Sequence, residues 1–379
     1  MSFRMVALLS HRDLSVFQTL YRVGFPEEFG LGPMELTPGY MVAALKEVGF
    51  DLVFDTNVAA DLTIMEEGTE LLTRVKSRLE NPPEKDYPLF TSCCPGWMNT
   101  IGKIDPEMVQ EISTSKSPHM MYGAMVKEYS QEMLGVKPEE IYFCSVMPCV
   151  RKRAESDEPA FVRPDGVRDI DNVITTKDLG TLCRLKGIDA PNLEPVTFDS
   201  PFQTDGAGSG AGQLFGATGG VTEAAIRTCY FVATGENLPK LEFEPVRGLE
   251  GWKECVVPLH TEDGKGLPVD LKIAVVNGLA NAKKIVAKIK EGEHYDFVEV
   301  MACPAGCING GGQPQNKDKD AVQRRLDAMY NLDKNMPRRQ SHEDPIVQEF
   351  YERFLGEAGS HKAHDLLHVK PVYGRGEFE

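Results

Sequence analysis

The stretch LKIAVVNGLANAKKIVAKIKEGEHYDFVEVMACPAGC, residues 271–307, decides how this chain folds. An apolar run at 271–276 ends at Asn277-Gly278, a helical stretch follows over 279–290, and a second apolar run fills 296–300. Read together they form one strand–helix–strand crossover. The second strand delivers Met301-Ala302-Cys303, and a second cysteine, Cys307, lies four residues further on. Working outward, the same alternation recurs. A helix at 41–48 precedes a strand at 51–55, and a longer amphipathic helix covers 60–76. A short apolar strand at 87–91, a helix at 118–134, strands at 141–146, 173–176 and 196–199, and a helix at 222–233 complete the pattern. Alternation of this kind predicts α/β layers with mainly parallel sheets. Polar, proline-containing stretches at 80–86 and 155–166 read as surface loops.

The chain has 379 residues, with 57 acidic and 41 basic side chains and a formal net charge of −16. Its composition is 41% hydrophobic and 26% charged, enough apolar surface for a sizeable core, which rules out disorder of the whole chain. The acidic balance argues against nucleic-acid binding over the whole surface. No run of eighteen apolar residues occurs, so no spanning helix is expected. The start, MSFRMVALLSHRDLS, is too short and too broken by charge for a secretory signal. The expected location is cytoplasmic, or an organelle after loss of a transit peptide.

The nine cysteines include no CxxC pair, so zinc ribbons and ferredoxin-like cluster runs are absent. Their placement is informative. Three separate expected strands each deliver cysteine just past the carboxyl end: Cys93-Cys94, Cys149 after Met147-Pro148, and Cys303 after Met301-Ala302. Open α/β sheets put their ligand crevice at that end. A single cysteine near a strand end is usually core filler, and that explanation suffices for Cys144, Cys183, Cys229 and Cys255. It is weak for three such sites together, each beside proline or glycine. Four thiolates drawn from Cys93, Cys94, Cys149, Cys303 and Cys307 suit zinc or an iron–sulfur cluster. One of the adjacent pair is spare, and a spare cysteine beside a metal centre can carry protons. The tail Asn309-Gly310-Gly311-Gly312-Gln313-Pro314 lets backbone approach a bulky ligand, room that zinc does not need. A second glycine-rich stretch, 205–220, lacks the Gly-Lys-Ser/Thr of a phosphate loop, and its 216–220 part is read as backbone lining the same cleft. On the helix over 60–76, Glu67, Glu70 and Arg74 share one face, which by itself reads as a solvated salt-bridge face.

The stretches TSCCPGW (91–97), MPCVRKRAE (147–155) and EVMACPAGCINGGGQP (299–314) resemble the three signature stretches of [FeFe]-hydrogenases, in the same order. GFDLVFDTNVAADLTIMEE, SKSPHMMYG, DIDNVITT, GATGGVTEAA, VRGLEG and the tail SHEDP…AHDLLH extend the similarity over most of the chain. The resemblance implies two lobes, each a mainly parallel twisted sheet flanked by helices, with a metal cluster in the cleft between them. It implies an H-cluster: a [4Fe-4S] cubane on Cys94, Cys149, Cys303 and Cys307, bridged through Cys307 to a di-iron unit carrying CO, CN⁻ and an azadithiolate. Cys93 would pass protons to the bridging amine, and Lys152 would donate to a cyanide. Met147, Pro148 and Met301 would pack around the di-iron unit, with Ser117, Pro118 and His119 at the dithiolate. Protons would continue from Cys93 through Glu67, Ser113, Glu70 and Arg74 to the surface, so the helix face becomes a relay. Two departures from the family stand out. Gln18-Thr19, near Arg22, replaces an Ala-Pro pair, and His119 replaces a frequent glutamine; both would face the dithiolate pocket.

By the same resemblance residues 1–317 would form the catalytic domain and 318–379 a small-subunit-like segment, with no accessory cluster domain. That minimal form implies a monomer that evolves or consumes H2 with electrons from a ferredoxin-type carrier and depends on maturation proteins. Lys283, Lys284, Lys288, Lys290, Arg151 and Arg153 are candidate docking cations. Two other classes are a hydrogenase-like iron–sulfur assembly scaffold and a gas-sensing module. The scaffold family needs cysteines near its N-terminus, whereas no cysteine precedes Cys93 here.

Overall fold

The computed structural model describes residues 12–17, 23–33 and 35–369. Gln18, Thr19 and Arg22 lie outside the described residues. Among the described residues, eight strands form two four-stranded sheets. In the first, β1 (Arg12–Phe17) pairs with β2 (Leu52–Asp55) and β4 (Ile141–Met147), and β4 pairs with β5 (Asn172–Thr175), all parallel. In the second, β8 (Phe297–Met301) pairs in parallel with β3 (Leu89–Phe90) and with β7 (Gly266–Asn277). The crossover read from 271–307 is β7, the helix Leu279–Lys290 and β8, with Ile273 opposite Phe297. One edge departs from the parallel rule: β6 (Trp252–His260) pairs antiparallel to β7. Helices flank both sheets, which is the expected α/β class.

The 25-residue helix Thr56–Glu80 ties the two halves together. Asp55 caps it, accepting from the Asn57 amide at 3.1 Å, which satisfies one of the orphan N–H groups of the first turn. Val58, Ala59 and Leu62 on this helix join the apolar core beside the first sheet, with Phe54, Phe143 and Tyr122. Ala60, Ile64, Leu71, Leu72 and Val75 join the core beside the second, with Val257, Ile273 and Phe297. Each fully buried leucine, isoleucine or phenylalanine contributes roughly 1.5–3 kcal/mol. In the first half of this helix, residues 56–68, every residue but Met65 is buried, so polar members such as Asp61, Glu66 and Glu67 are held where water does not reach.

Two expectations need correction. Residues 196–199 form no strand. The Asp199 amide donates to the Val53 carbonyl, and the Asp199 carboxylate takes the Val53 amide at 2.7 Å, so a side chain occupies the place of a ladder bond. The helix expected over 118–134 is two helices, Pro118–Glu128 and Ser130–Leu134, divided at Tyr129, whose ring stacks on Phe354 at 4.2 Å. Among the described residues, no helix is long and apolar enough to cross a membrane.

Candidate metal-cluster site

One enclosed cavity is lined by Cys93, Cys94, Cys149, Cys303 and Cys307, together with Lys152, Phe215 and Met301. Its walls come from the carboxyl ends of three strands. Cys93 and Cys94 follow β3, Cys149 follows β4, and Cys303 follows β8, so both sheets feed one site. Among the described residues, no three His, Cys, Asp or Glu side chains converge closely enough for a single metal ion. Thiols spread around a shared cavity suit a polynuclear cluster better than zinc.

The local backbone fits such a group. Cys94 is the N-cap of the helix Pro95–Ile104, where the helix dipole favours negative charge. The Ala302 amide donates to Cys94 Sγ at 3.4 Å. Gly306 sits at φ 89°, and a Cβ there would lie 2.8 Å from both Met301 Sδ and the Thr218 nitrogen. The Thr218 amide donates to Ala305, and the Ile308 amide to Gly216, so the 216–220 stretch backs the Cys303–Cys307 loop. The glycine tail works differently from expectation. A Cβ on Gly310 would lie 2.5 Å from the Pro148 carbonyl oxygen, and the Gly312 amide donates to that oxygen at 2.8 Å. These glycines join the third cysteine loop to the Cys149 loop, and Gly310 also lines the cavity.

The donor set is electrostatically frustrated. Burial, then repulsion from Cys94 and Cys149, pushes the Cys303 thiol up to about 11. The same causes, with Cys303 and Cys93 added, raise Cys307 well above the ordinary range. Four thiolates here need cationic metal to neutralise them.

Cys93 is raised well above its usual value by burial and then by Glu67, with Lys152 opposing. The Lys152 ammonium is buried, donates to the Cys93 carbonyl at 2.9 Å and pairs with Glu155 at 2.8 Å. Glu155 also meets His119 Nε2 at 2.8 Å, while His119 Nδ1 meets the Ser145 hydroxyl at 3.1 Å. Burial alone would raise the Glu155 carboxyl, but Lys152 and the His119 hydrogen bond hold it at about 2. Burial and then the Lys152 charge lower the His119 pKa. His119 therefore acts on the pocket through Glu155. Glu155 was missed as a site residue because 155–166 reads as a surface loop; the loop expectation fails there, since Glu155 and Ser156 end the helix Arg151–Ser156 and are buried, as is Phe161 further on.

Glu67 is 1% exposed, so the solvated-face interpretation fails there. Neither of its carboxylate oxygens has a hydrogen bond of good geometry. Burial, then Glu70, lifts the Glu67 carboxyl to about 8 against weak opposition from the Ser92 amide and Ser113 hydroxyl. Further out, the Ser113 hydroxyl donates to Glu70 Oε2 at 2.7 Å. Arg74 does not join this chain: among the described residues it has no bond to Glu70, and it pairs with Glu111 and the Tyr87 carbonyl instead. Ser117 caps the helix that Pro118 opens, and its buried hydroxyl has no partner. Met301 lines the cavity, whereas Met147 is packed in the core with Phe54 and Tyr122.

A stability prediction follows from Glu67. Between its unfolded value near 4.5 and about 8, the folded chain keeps a proton that the unfolded chain has released. Stability is therefore lost as pH rises through that window, by an amount on the order of 5 kcal/mol at most. Glu67→Gln should melt higher than the native chain at pH 8–9 and lose that advantage toward pH 5. Parallel melting-temperature curves for the two proteins between pH 5 and 9 would contradict this.

A cavity that gathers five thiols from the strand ends of two mainly parallel sheets defines a polynuclear metal-cluster protein on an α/β frame. The comparisons narrow the class. The family described as iron only hydrogenase large subunit, C-terminal domain, matches residues 16–311, and iron hydrogenase small subunit matches 319–370. The chain is 43% identical over 349 residues to the NADP-reducing hydrogenase subunit HndD of Solidesulfovibrio fructosivorans, covering 92% of this chain and 58% of that one. It is 38% identical to iron hydrogenase 1 of Clostridium pasteurianum, covering 92% and 59%. The chain thus spans less than two thirds of the length of these relatives. It is also 32% identical to cytosolic iron-sulfur assembly component 3 of Bos taurus, covering 92% and 71%. Among solved structures, an [FeFe]-hydrogenase HydA1 from Chlamydomonas reinhardtii superposes with TM-score 0.83 at 44% identity, over 96% of this chain and 95% of that one. The chain belongs to the iron-only hydrogenase family.

Proposed function

We propose that this protein interconverts protons and H2 at an H-cluster, with electrons from a ferredoxin-type carrier. The observation that carries the proposal is the spare thiol: Cys93 shares the cavity with four other cysteines and lies under the influence of the buried, unpartnered carboxyl of Glu67. Cys94, Cys149, Cys303 and Cys307 would hold the [4Fe-4S] cubane, with Cys307 bridging to a di-iron unit that carries CO, CN⁻ and an azadithiolate. When bound, that group would relay the carrier's electrons to the reacting protons and supply the metal chemistry of H2. The chain's own residues do the rest. Lys152, fixed by Glu155 and the Cys93 carbonyl, presents an ammonium to an anionic ligand. Met301 lines the pocket. Cys93 Sγ holds a proton, Glu67 accepts and returns it, and Ser113 and Glu70 extend the route outward. A scaffold needs no such proton route, which favours a turning-over enzyme, as do the higher identities to hydrogenases.

The test is the protein matured with its dedicated assembly proteins under anaerobic conditions. Infrared bands of bound CO and CN⁻, and H2 evolution from reduced viologen, are expected. Iron–sulfur absorption without those bands or turnover would favour the scaffold reading.

Electrons would enter near Cys149, where Val150 is 55% exposed and Arg151 and Arg153 are on the surface. On the second candidate surface, Lys290 is engaged by Asp105 and Lys288 lies over the Trp252 ring. Lys283 and Lys284 are exposed and, among the described residues, without an ion pair. Because both proteins would be acidic overall, docking needs a local basic patch. Reversing Arg153 to Glu should raise the Michaelis constant for reduced ferredoxin severalfold and flatten its salt dependence, with viologen-driven turnover unchanged. If only the Lys283→Glu/Lys284→Glu variant does so, the carrier docks on the helix Leu279–Lys290. No change in either would exclude both surfaces.

A further inference from the structure

The proton route has a branch that reaches into the C-terminal segment. His368 Nδ1 lies 2.8 Å from Thr114 Oγ1, and the Thr114 hydroxyl also faces Glu70 Oε1 at 3.4 Å. The Thr114 amide donates to Glu70 Oε2 at 3.1 Å, which holds the carboxylate against this residue. On its other side His368 Nε2 lies 2.9 Å from Glu66 Oε2. Glu66 is buried and also accepts from the Tyr351 hydroxyl at 2.5 Å and the Gly359 amide at 3.0 Å. The register is fixed by backbone: Ser115 and His368 form an antiparallel bridge, the Val369 amide donates to the Thr114 carbonyl, and the Lys116 amide to the Leu367 carbonyl. The His368 side chain is 4% exposed, with the exposed ring of His364 stacked on it at 4.6 Å.

These contacts allow two hydrogen-bond arrangements, because a threonine hydroxyl has one proton to donate. When His368 is charged, both ring nitrogens donate: Nε2 to Glu66 and Nδ1 to Thr114. Thr114 must then turn its own proton to Glu70. When His368 is neutral, the Glu66 carboxylate keeps the remaining proton on Nε2. Nδ1 becomes an acceptor, and the Thr114 hydroxyl turns away from Glu70 to meet it. Glu70 so gains or loses a donor, and a nearby positive charge, with the state of His368. A carboxylate that gains both releases its proton more readily. The titratable groups that face His368 are Glu66, Tyr351 through Glu66, His364, and Glu70 through Thr114.

We infer that His368 is a positioning residue for proton transfer: its protonation state sets the direction of the Thr114 hydroxyl and thereby the proton affinity of Glu70. The inference rests on the proposal that Glu70 belongs to the proton route. It gives the small-subunit-like segment a part in turnover besides packing.

The test has two arms. In the purified full chain labelled with ¹⁵N-histidine, Glu70→Gln should change the His368 ring ¹⁵N shifts, since the acceptor beyond the Thr114 hydroxyl loses its charge. Thr114→Val should change the His368 Nδ1 shift, and Thr114→Ser, which keeps the hydroxyl, should not. A His368 resonance that ignores all three substitutions overturns the inference, whatever the enzyme's activity. In the matured enzyme, Thr114→Val and His368→Gln should each remove one ionisation from the pH profile of kcat and slow turnover by about tenfold on its acid side, while Thr114→Ser retains the native profile. Native profiles in both disrupting variants, with Glu70→Gln slowed, overturn the inference and leave the proton route standing. An unslowed Glu70→Gln enzyme overturns the route itself, and with it the role in turnover assigned to His368.

Discussion

Cys307→Ala is expected to yield a matured protein with no infrared bands from CO or CN⁻ and H2 turnover below detection. The residue lies in the loop where the chain has least freedom to compensate. Gly306 before it is held at φ 89° against Met301 and Thr218, and Ile308 after it is tied to Gly216 through its amide and to Arg325 through its carbonyl. Cys307 also feels Cys94, Cys149, Cys303 and Cys93, so it sits at the electrostatic centre of the set. On the proposed assignment, removing it would take away both a cubane ligand and the bridge to the di-iron unit. Folding should change little, because the hydrogen bonds that hold the loop run through its backbone groups and the Asn309, Asn277 and Arg325 side chains rather than through the Cys307 sulfur. Cys255→Ala, on β6 and outside the cavity, is the matched control and should keep spectra and turnover. Bands at native intensity in Cys307→Ala would remove Cys307 from the ligand set.

What could be read before any coordinates follows the range of the interactions involved. The 271–307 crossover is local: each strand is a continuous apolar run, and the helix between them is set by its own periodicity. β6 was not legible, because Trp252–His260 is an edge strand that alternates between buried and exposed positions and gains its partner only through the hairpin with β7. Residues 196–199 look like a strand, yet their register is decided by the Asp199 side chain. At the site, cysteine at the end of three strands was visible as a pattern, since strand direction fixes where a strand end points. Burial was not visible. Glu67 and Glu70 are three residues apart on one helix face, but only Glu67 is shut away from water, because Cys93 and the helix Gly220–Thr234 cover that level of the face. Glu111, Glu155 and His368 belong to networks closed across 37, 36 and 254 residues of sequence. Of these, Glu155 alone also has a helical neighbour, Lys152, from which its place could be inferred.

Cys93→Ala is expected to do the opposite of Cys307→Ala: to retain the metal centre and its infrared bands while losing nearly all turnover. The adjacent cysteines differ in their surroundings. Cys94 Sγ accepts from the Ala302 amide, stands at the head of a helix and is buried, all of which suit a ligand. Cys93 is raised well above the usual thiol range by burial and then Glu67, which favours the protonated thiol over the thiolate a ligand must supply. Its carbonyl holds Lys152 through the backbone, and alanine leaves that bond intact. A methyl group offers neither donor nor acceptor, so the route from the cavity to Glu67 is cut and only direct exchange with water remains. General acid–base steps are worth about 10²–10⁴ in rate, and the loss should fall in that range. Cys93→Asp restores a group that holds and releases a proton and should recover part of the rate, with a pH optimum shifted toward the acid side. Loss of cubane iron in Cys93→Ala, with Cys94→Ala keeping it, would exchange the roles of the two cysteines. Native turnover in Cys93→Ala with full iron would mean that protons reach the cluster by another route, and that the buried carboxyl of Glu67 serves some end other than relaying them.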